Sequence, residues 1–312
     1  PLTNADKNPL PIGQEMLRGI AHVQDKAVNR SDQSMPPVNL EVIVVNDRNI
    51  PDQAIVSAKA ILNYPERTVL AVVGHYTSDN TCGALNESYE NVVVISPLST
   101  HTDLQEDCGG SSFFLRTTSS SKIEATTLVD YLEEELGQNI NSSEVAAFYN
   151  DKDKFSRDIF QKFQNTIRDK VESFHEFQLL GESFDTENIL GQIRSADALI
   201  VLPDGRNTSS EAFDNAIELI KNDEQGRLVL GSNPLYNGYT REKSGENYFW
   251  DFHNRLFLAS DWHQSCAPDK FVQEIMGEYW FGEVNRATAL SYEAAQVLVF
   301  ILSTLDGDTT TA

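Results

Sequence analysis

The sequence predicts an α/β protein made of two consecutive units, each a parallel sheet flanked by helices. Three observations carry this. Strand-like and helix-like patterns alternate along almost the whole chain, the order that gives parallel strands with helices on both faces. The alternation restarts after a Ser/Thr-rich stretch, 116-RTTSSSK-122, which reads as a crossover between lobes. The length, 312 residues, exceeds what one compact core usually holds.

The first unit opens with residues 15–30 (EMLRGIAHVQDKAVNR), whose apolar residues recur at helical spacing. The β-rich run 39-NLEVIVVND-47 predicts a strand ending at Asn46 and Asp47. Residues 52–63 are helical again, with Pro51 immediately before them. VLAVVG (69–74) is a buried strand, and 77–90 (TSDNTCGALNESYE) starts with several candidate N-caps. VVVIS (92–96) and SFFLRT (112–117) are the next strands.

The second unit repeats the scheme. Residues 120–136 predict a helix, EVAAFYND (144–151) a strand and 156–171 a helix. SFHEFQLL (173–180) is a strand followed by the helix 185–194. ADALIVLPD (196–204) is a strand, 209–222 a helix and RLVLGSN (227–233) another strand. After 256-LFLASDW-262 two more helices are expected, 268–279 and 288–303. No low-complexity tract or solenoid-length repeat is present.

Composition narrows the partners. Against 24 basic side chains stand 47 acidic ones, a formal net charge of −23. That disfavours nucleic acid and anionic membrane surfaces, because phosphate binding needs clustered Lys and Arg. A well-solvated acidic surface is the plain account of the charge. The longest apolar candidate, 289-ALSYEAAQVLVFIL-302, is too short to span a bilayer and contains Glu293 and Gln296, so no transmembrane helix is expected. No signal peptide is visible, and a targeting segment upstream is compatible with a chain that begins inside recognisable structure. Cys82, Cys108 and Cys266 lack metal-ligand spacing. They fit either one disulfide with one free thiol, in an oxidising compartment, or three buried thiols in the cytosol.

Ligands of open α/β sheets bind outside the carboxyl ends of the strands. In the first unit those ends carry Asn46-Asp47, Gly74 to Ser78 and Ser96 to Thr100. In the second they carry Tyr149-Asn150-Asp151, Pro203-Asp204 and Gly231-Ser232-Asn233. These ends are small, polar and aromatic rather than glycine-rich phosphate loops. Neither G-x-G-x-x-G nor G-x-x-x-x-G-K-[ST] occurs, and no cofactor is expected.

VLAVVGHYTSDNTCGALNESYENVVVISPLSTHTDL followed by FFLRT resembles the first lobe of type I periplasmic binding proteins. The resemblance is to branched-chain amino-acid substrate-binding proteins of ABC transporters; amino-acid receptor ectodomains share the fold. It continues through VAAFYNDKDKFSRDIFQKF, ADALIVLPDG, LVLGSN and RATALSYEAAQVL, nearly the whole chain. The resemblance implies two Rossmann-like lobes joined by a hinge, with lobe one near 1–118 plus 260–304 and lobe two near 119–259. It implies a periplasmic or extracellular protein, with or without a membrane tether, that closes over an amino acid or similar small polar molecule without chemistry. A membrane permease or a signalling partner would read the closed state.

The same resemblance assigns roles. Ser78, at a helix N-terminus, matches the serine that holds a ligand carboxylate. Leu98 matches the position whose carbonyl takes the ligand ammonium, and Thr100 the threonine touching both groups, with Ser99 between them. Phe155 falls where a lobe-two tyrosine often closes over the ligand, and Tyr76 and Tyr149 are further cleft aromatics. Asn233 stands where the family usually places Glu or Asp against the ammonium, and a neutral amide makes a weaker partner. Asp204, or failing that Asp151, is the expected replacement charge. Cys82 and Cys108 lie near each other in the resembling fold, where some receptor relatives carry a disulfide; Cys266 is taken as unpaired. Proteins of that fold begin with a strand before the PLT-like segment and end with strands after SYEAAQVL, so the sequence reads as an excerpt of a longer chain.

Plainer accounts stand beside these roles. Ser78 and Thr100 also fit as N-caps. Asp204 fits as a loop acid or helix cap, and Asn233-Pro234 as a turn. Tyr76, Tyr149 and Phe155 fit as core aromatics. His75 and His101 are expected to be structural, since no third convergent metal ligand has suitable spacing. Trp262-His263 reads as hinge packing. An enzyme on the same layout is the less favoured alternative, since neither a G-x-S-x-G elbow nor a paired-acid motif occurs. A ligand-sensing domain of a larger signalling protein is the other alternative.

Overall fold

A computed structural model describes residues 10–29, 40–64, 69–87, 89, 92–109, 113–181, 184–205, 210–236, 240, 255–268, 271, 274 and 284–304. Along the chain the elements are α1 (Leu10–Asn29), α2 (Pro51–Leu62), β1 (Ala71–Val73), α3 (Ser78–Glu87), β2 (Val93–Ser96), α4 (Leu104–Asp107) and β3 (Phe114–Arg116). There follow α5 (Ser121–Leu136), β4 (Glu144–Tyr149), α6 (Lys154–Ile167), β5 (Ser173–Gln178), α7 (Thr186–Gln192) and β6 (Ala198–Leu202). The last are α8 (Glu211–Asn222), β7 (Leu228–Gly231), β8 (Leu256–Leu258) and α9 (Arg286–Thr304).

The strands form two parallel sheets, in the orders β1-β2-β3 and β5-β4-β6-β7-β8. Each sheet is the core of one lobe. In the second, alternation along the strands assigns the two faces. Ala146, Phe148, Leu199, Val201 and Val229 face α7 and α8, where Ile189, Phe213 and Ile217 meet them. Val145, Ala147, Ala198, Ile200 and Leu230 face α5 and α6, meeting Leu128, Leu132, Ile159 and Phe163. In the first sheet Val72, Val94 and Phe114 pack on α2, α3 and α4, whereas Val73 faces α1 and α9.

The crossing of α1 and α9 depends on Gly19. A Cβ there would stand 2.3 Å from the Thr288 carbonyl oxygen and 2.7 Å from the Tyr292 nitrogen, both backbone atoms. Around this contact Thr288 donates to Glu15, and Lys26 Nζ lies 3.0 Å from the Tyr292 hydroxyl.

Most expected elements are present with shifted ends, and α1 begins at Leu10 rather than at residue 15. The strand expected over 39–47 is a correction. Residues 40–47 pair in no ladder among the described residues, and Ile43, Val44 and Val45 are exposed. A β-rich composition records fitness for a pleated, half-buried surface, and a strand forms only where a neighbour supplies its hydrogen bonds. Leu40 and Val42 still pack against the α1–α9 cluster. The run ends in a turn in which Asn46 and Asp47 side chains accept from the Arg48 and Asn49 amides. The helix expected over 268–279 lies largely outside the described residues. The short α4 had no expected counterpart.

Candidate functional site

The strand ends of both sheets turn toward one shared polar layer. After β1 the chain passes through Tyr76 and Thr77 into α3. Thr77 caps that helix, its carbonyl accepting from Thr81 N at 3.0 Å. The Ser78 hydroxyl is therefore not needed as the cap. Buried at the first helical position, it accepts from His101 N at 3.2 Å. The helix N-terminus and β2's exit are thereby joined. Ser99 Oγ lies 2.6 Å from Thr81 Oγ1, and Ser99 N donates to Ser96 Oγ. Thr100 is buried, and its carbonyl accepts both the amide (2.6 Å) and the hydroxyl (2.9 Å) of Ser121. Leu98 packs with Tyr76, Ala287 and Leu290.

Across the layer, Asp204 leaves β6 buried. It accepts from Asn150 Nδ2 at 2.8 Å and from Ser210 Oγ at 2.6 Å. Ser210 in turn caps α8 by accepting from Phe213 N. Asp204 is thus neither a solvated loop acid nor itself the cap, but the support of the cap. Tyr76 joins the two sides. As a residue it keeps some exposure, but burial of its phenol pushes the pKa up to about 12, in the fields of Arg286, Asp204 and Asp153. Asp151 is exposed, with its amide donating to Gln178.

Asn233 has a partner that sequence reasoning missed. Its backbone N–H donates to Glu124 Oε1 at 2.6 Å and its side-chain Nδ2 to Glu124 Oε2 at 2.9 Å. Glu124 lies on α5 one turn after Ser121, so a single helical face reaches both Thr100 and Asn233. Burial pushes the Glu124 carboxyl up to about 8, with the Asn233 hydrogen bonds and the Arg286 charge pulling against it. Arg286 is held by Asp261 and by Thr118 Oγ1, which accepts from Nη2 at 3.0 Å. Its charge is therefore largely matched. The signal for Glu124 was present: it shares the buried stripe of α5 with Ala125, Leu128 and Leu132, an acid among apolar positions. Arg286 carried a signal too, a cation in the first turn of α9, where the helix dipole disfavours it.

Two expected members lie elsewhere. Tyr149 stacks on Phe160 with ring centroids 3.6 Å apart, and its phenol faces Gln178 and Glu176. Phe155 is in the core on α6, on one helical stripe with Ile159 and Phe163. The helical period turns it into that core.

A second set of contacts joins the lobes beside this layer. Thr102 N donates to Asp158 Oδ2 of α6 at 2.7 Å, and His101 Nδ1 lies 3.4 Å from the same oxygen. His101 Nε2 lies 2.9 Å from Asp107. Burial penalises the imidazolium, but hydrogen bonds and charge from Asp158 and Asp107 outweigh it and raise its pKa. Burial also works against the Asp158 charge, yet His101 and Thr102 bring its pKa down to about 2. At Gly205 an added Cβ would touch Thr77 at 3.8 Å, so the lobes meet there as well. The described lobes stand closed upon each other. His75 is structural, between Asp47 (2.6 Å) and the Tyr89 hydroxyl (3.4 Å).

Cys82 of α3 and Cys108 after α4 form a disulfide, and Cys266 is free and exposed. Surface hollows of about 300 and 290 Å³ lie elsewhere, on α8 and beside α4. Neither gathers buried polar groups from both sheets, as the strand-end layer does. That layer sets hydroxyls and a helix N-terminus on one side and carboxylates on the other. Such an arrangement suits a small molecule bearing opposite charges.

No protein-family model matches the chain, and no curated protein matches it. Solved structures do. A leucine-binding protein, LivK, from Thermotoga maritima superposes with a TM-score of 0.73 at 18% identity, covering 97% of this chain and 80% of that one. LivJ, the branched-chain amino acid transporter substrate-binding protein of Streptococcus pneumoniae in complex with isoleucine, gives 0.68 at 16% identity, covering 93% and 78%. An ABC-transporter solute-binding protein of Rhodopseudomonas palustris in complex with 3,4-dihydroxybenzoic acid gives 0.68 at 15%, covering 94% and 76%. The chain has the fold of these proteins, the type I periplasmic binding protein architecture of two α/β lobes.

Proposed function

We propose that this chain is an extracytoplasmic solute-binding protein that captures an amino acid or similar small polar molecule by lobe closure, for ABC-type uptake. The moving bodies in this reading are 1–118 with 260–304, and 119–259. The observation that supports it is the gathering of buried polar groups at the strand ends of both sheets, Ser78, Ser99 and Thr100 in one and Asp204 and Asn233 in the other, with Tyr76 in the fields of both Arg286 and Asp204. The neighbours in fold lend support: those named above are described as binding leucine, isoleucine or an aromatic acid. A disulfide persists in an oxidising compartment, which supports a place outside the cytoplasm. In this reading the protein performs no chemistry on its ligand, and a membrane permease reads the closed form.

The test is thermal denaturation against the proteinogenic amino acids and small aromatic acids. At least one raises the melting temperature, because a ligand that binds only the folded state stabilises it by mass action. No shift with any compound would remove the reading. Ser78→Ala and Thr100→Ala each weaken the bound compound by about 1–3 kcal/mol if their hydroxyls satisfy a buried carboxylate. Unchanged affinity in both would move the site elsewhere.

A further inference from the structure

We infer that the ligand carries a protonated amine and that Glu124, held by Asn233, is the group that receives it. The inference rests on the solute-binding reading and narrows it to amine-bearing carboxylates, as against the aromatic acids that some proteins of this fold hold.

The layer treats the two signs of ligand charge differently. Among the described residues lining it, the cation is Arg286, and Asp261 already holds that guanidinium. A second carboxylate in the ligand would find no unmatched positive charge there. The acids are placed differently. Glu124 is almost fully buried, and the hydrogen bonds its carboxyl accepts from described residues both come from Asn233, through the backbone and side-chain N–H. An amide is a neutral partner, and the nearby Arg286 charge is already paired with Asp261, so the negative charge on Glu124 is oriented but only partly offset. A buried carboxylate in that condition binds a proton or a cation. Asp204 adds a second acid to the same layer through the field it exerts on Tyr76. Beside Asn233, the Ser232 hydroxyl is fully buried and has no hydrogen-bond partner among the described residues, a further polar group open to a ligand.

Position agrees with chemistry. Ser121 and Glu124 share one face of α5; the first holds the Thr100 carbonyl and the second Asn233. A ligand whose carboxylate meets Ser78 and the α3 N-terminus would have its other end toward this face. Asn233 therefore does not leave the second lobe without a charge. It orients an acid supplied from the helix.

Binding an amine at Glu124 requires the carboxylate form. The groups facing it are Asn233, Arg286 and Asp261, with Tyr76 and Asp204 beyond Arg286. Burial, opposed by Asn233 and Arg286 and aided by Asp261, holds its pKa at about 8, so at a pH of about 6.5 the carboxyl is mostly protonated. Amine binding then releases a proton. Affinity rises as pH goes from about 6 toward 8 and levels off above that, by up to about tenfold per pH unit.

The experiment is isothermal titration calorimetry with the twenty amino acids, the deaminated counterpart of each that binds, and 4-hydroxybenzoate. An amino acid binds, its deaminated counterpart binds at least tenfold more weakly, and close to one proton is released at pH 6.5 when buffers of different ionisation heat are compared. In Glu124→Gln the amino acid loses at least tenfold in affinity and the proton release disappears, with the melting temperature of the free protein as a check that it folds. Asn233→Ala, which leaves the carboxylate but removes its side-chain donor, lowers affinity less and keeps the proton release. If the deaminated acid or 4-hydroxybenzoate binds as tightly as any amine, or if Glu124→Gln binds unchanged, the inference is overturned and solute binding stands. If nothing binds, both fall.

Discussion

The two lobes share a topology but hold themselves together by different means. In the second, the central strands β4, β6 and β7 are almost wholly buried, and both faces of the sheet carry apolar clusters that include Phe148, Phe163 and Phe213. In the first, the strands are three or four residues long, β1 is part-exposed along its length, and Leu70 and Leu115 face solvent. There, point fastenings do what area does in the second lobe. A disulfide ties α3 to the segment after α4, His75 and Asn80 both hold Asp47, and Gly19 lets α1 and α9 cross in backbone contact. The sheet with a continuous hydrophobic pattern rests mainly on area, with a buried Asp223–Arg227–Arg255 cluster at its edge, and the sheet without one is stapled. The thinner lobe also supplies the hydroxyls of the candidate site.

The sharpest way to break this contrast is to damage each lobe by its own device. Phe213→Ala removes a fully buried aromatic from the α8 face of the second sheet. It should cost about 3–5 kcal/mol, measured by urea denaturation. Replacing Cys82 and Cys108 by Ala opens a cross-link spanning 26 residues and should cost about 2–4 kcal/mol. The two losses should also fall in different places. Amide exchange should accelerate in α2, α3 and α4 for the cysteine pair, and in α7 and α8 for Phe213→Ala. If both variants loosen the same set of amides, the lobes are one cooperative unit and the contrast fails.

The same contrast explains what was legible. The second lobe announced itself, because alternating apolar strands and amphipathic helices are local patterns. Val145, Ala147 and Phe163 could be placed from period alone. The run 40–47 misled, because its composition fits a strand while pairing is decided by neighbours outside it. At the candidate site, Ser78, Ser99, Thr100, Asp204 and Asn233 could be proposed because strand ends are marked by where apolar runs stop. The packing of Tyr149 on Phe160 and of Phe155 in the α6 core was not legible, because the direction of an aromatic depends on the element it enters, and helix spacing turned Phe155 inward. Glu124 and Arg286 escaped because their meaning is non-local. Glu124 meets Asn233 across a long stretch of intervening chain, and Arg286 meets Thr118 across the hinge.

The smallest expected effect concerns the contacts that hold the lobes against each other. Closure places Asp158 between Thr102 N and His101, while Arg116 donates to the His101 and Thr102 carbonyls and Lys162 stands 3.5 Å from Asp103. His101 has its pKa raised, against burial, by Asp158 across the lobes and by Asp107 within its own, so its contribution is complete below about 6.5, its ordinary value, and is lost as pH rises through the raised one. Asp158 has its pKa lowered to about 2 from 3.8. Its contribution is complete above its ordinary value and is lost as pH falls toward about 2. The clasp is therefore strongest between about pH 4 and 6.5. Its worth is about 1.5–3 kcal/mol, the range for a hydrogen bond to a charged group. Energy transfer between dyes on the two lobes should report a closed fraction that falls as pH rises above about 6.5. His101→Asn should flatten that dependence while leaving the urea midpoint of the second lobe in place. A dependence that survives His101→Asn would assign it to another group, Glu124 first, whose ionisation is set by burial and Asn233 and by Arg286 and Asp261 of the other lobe.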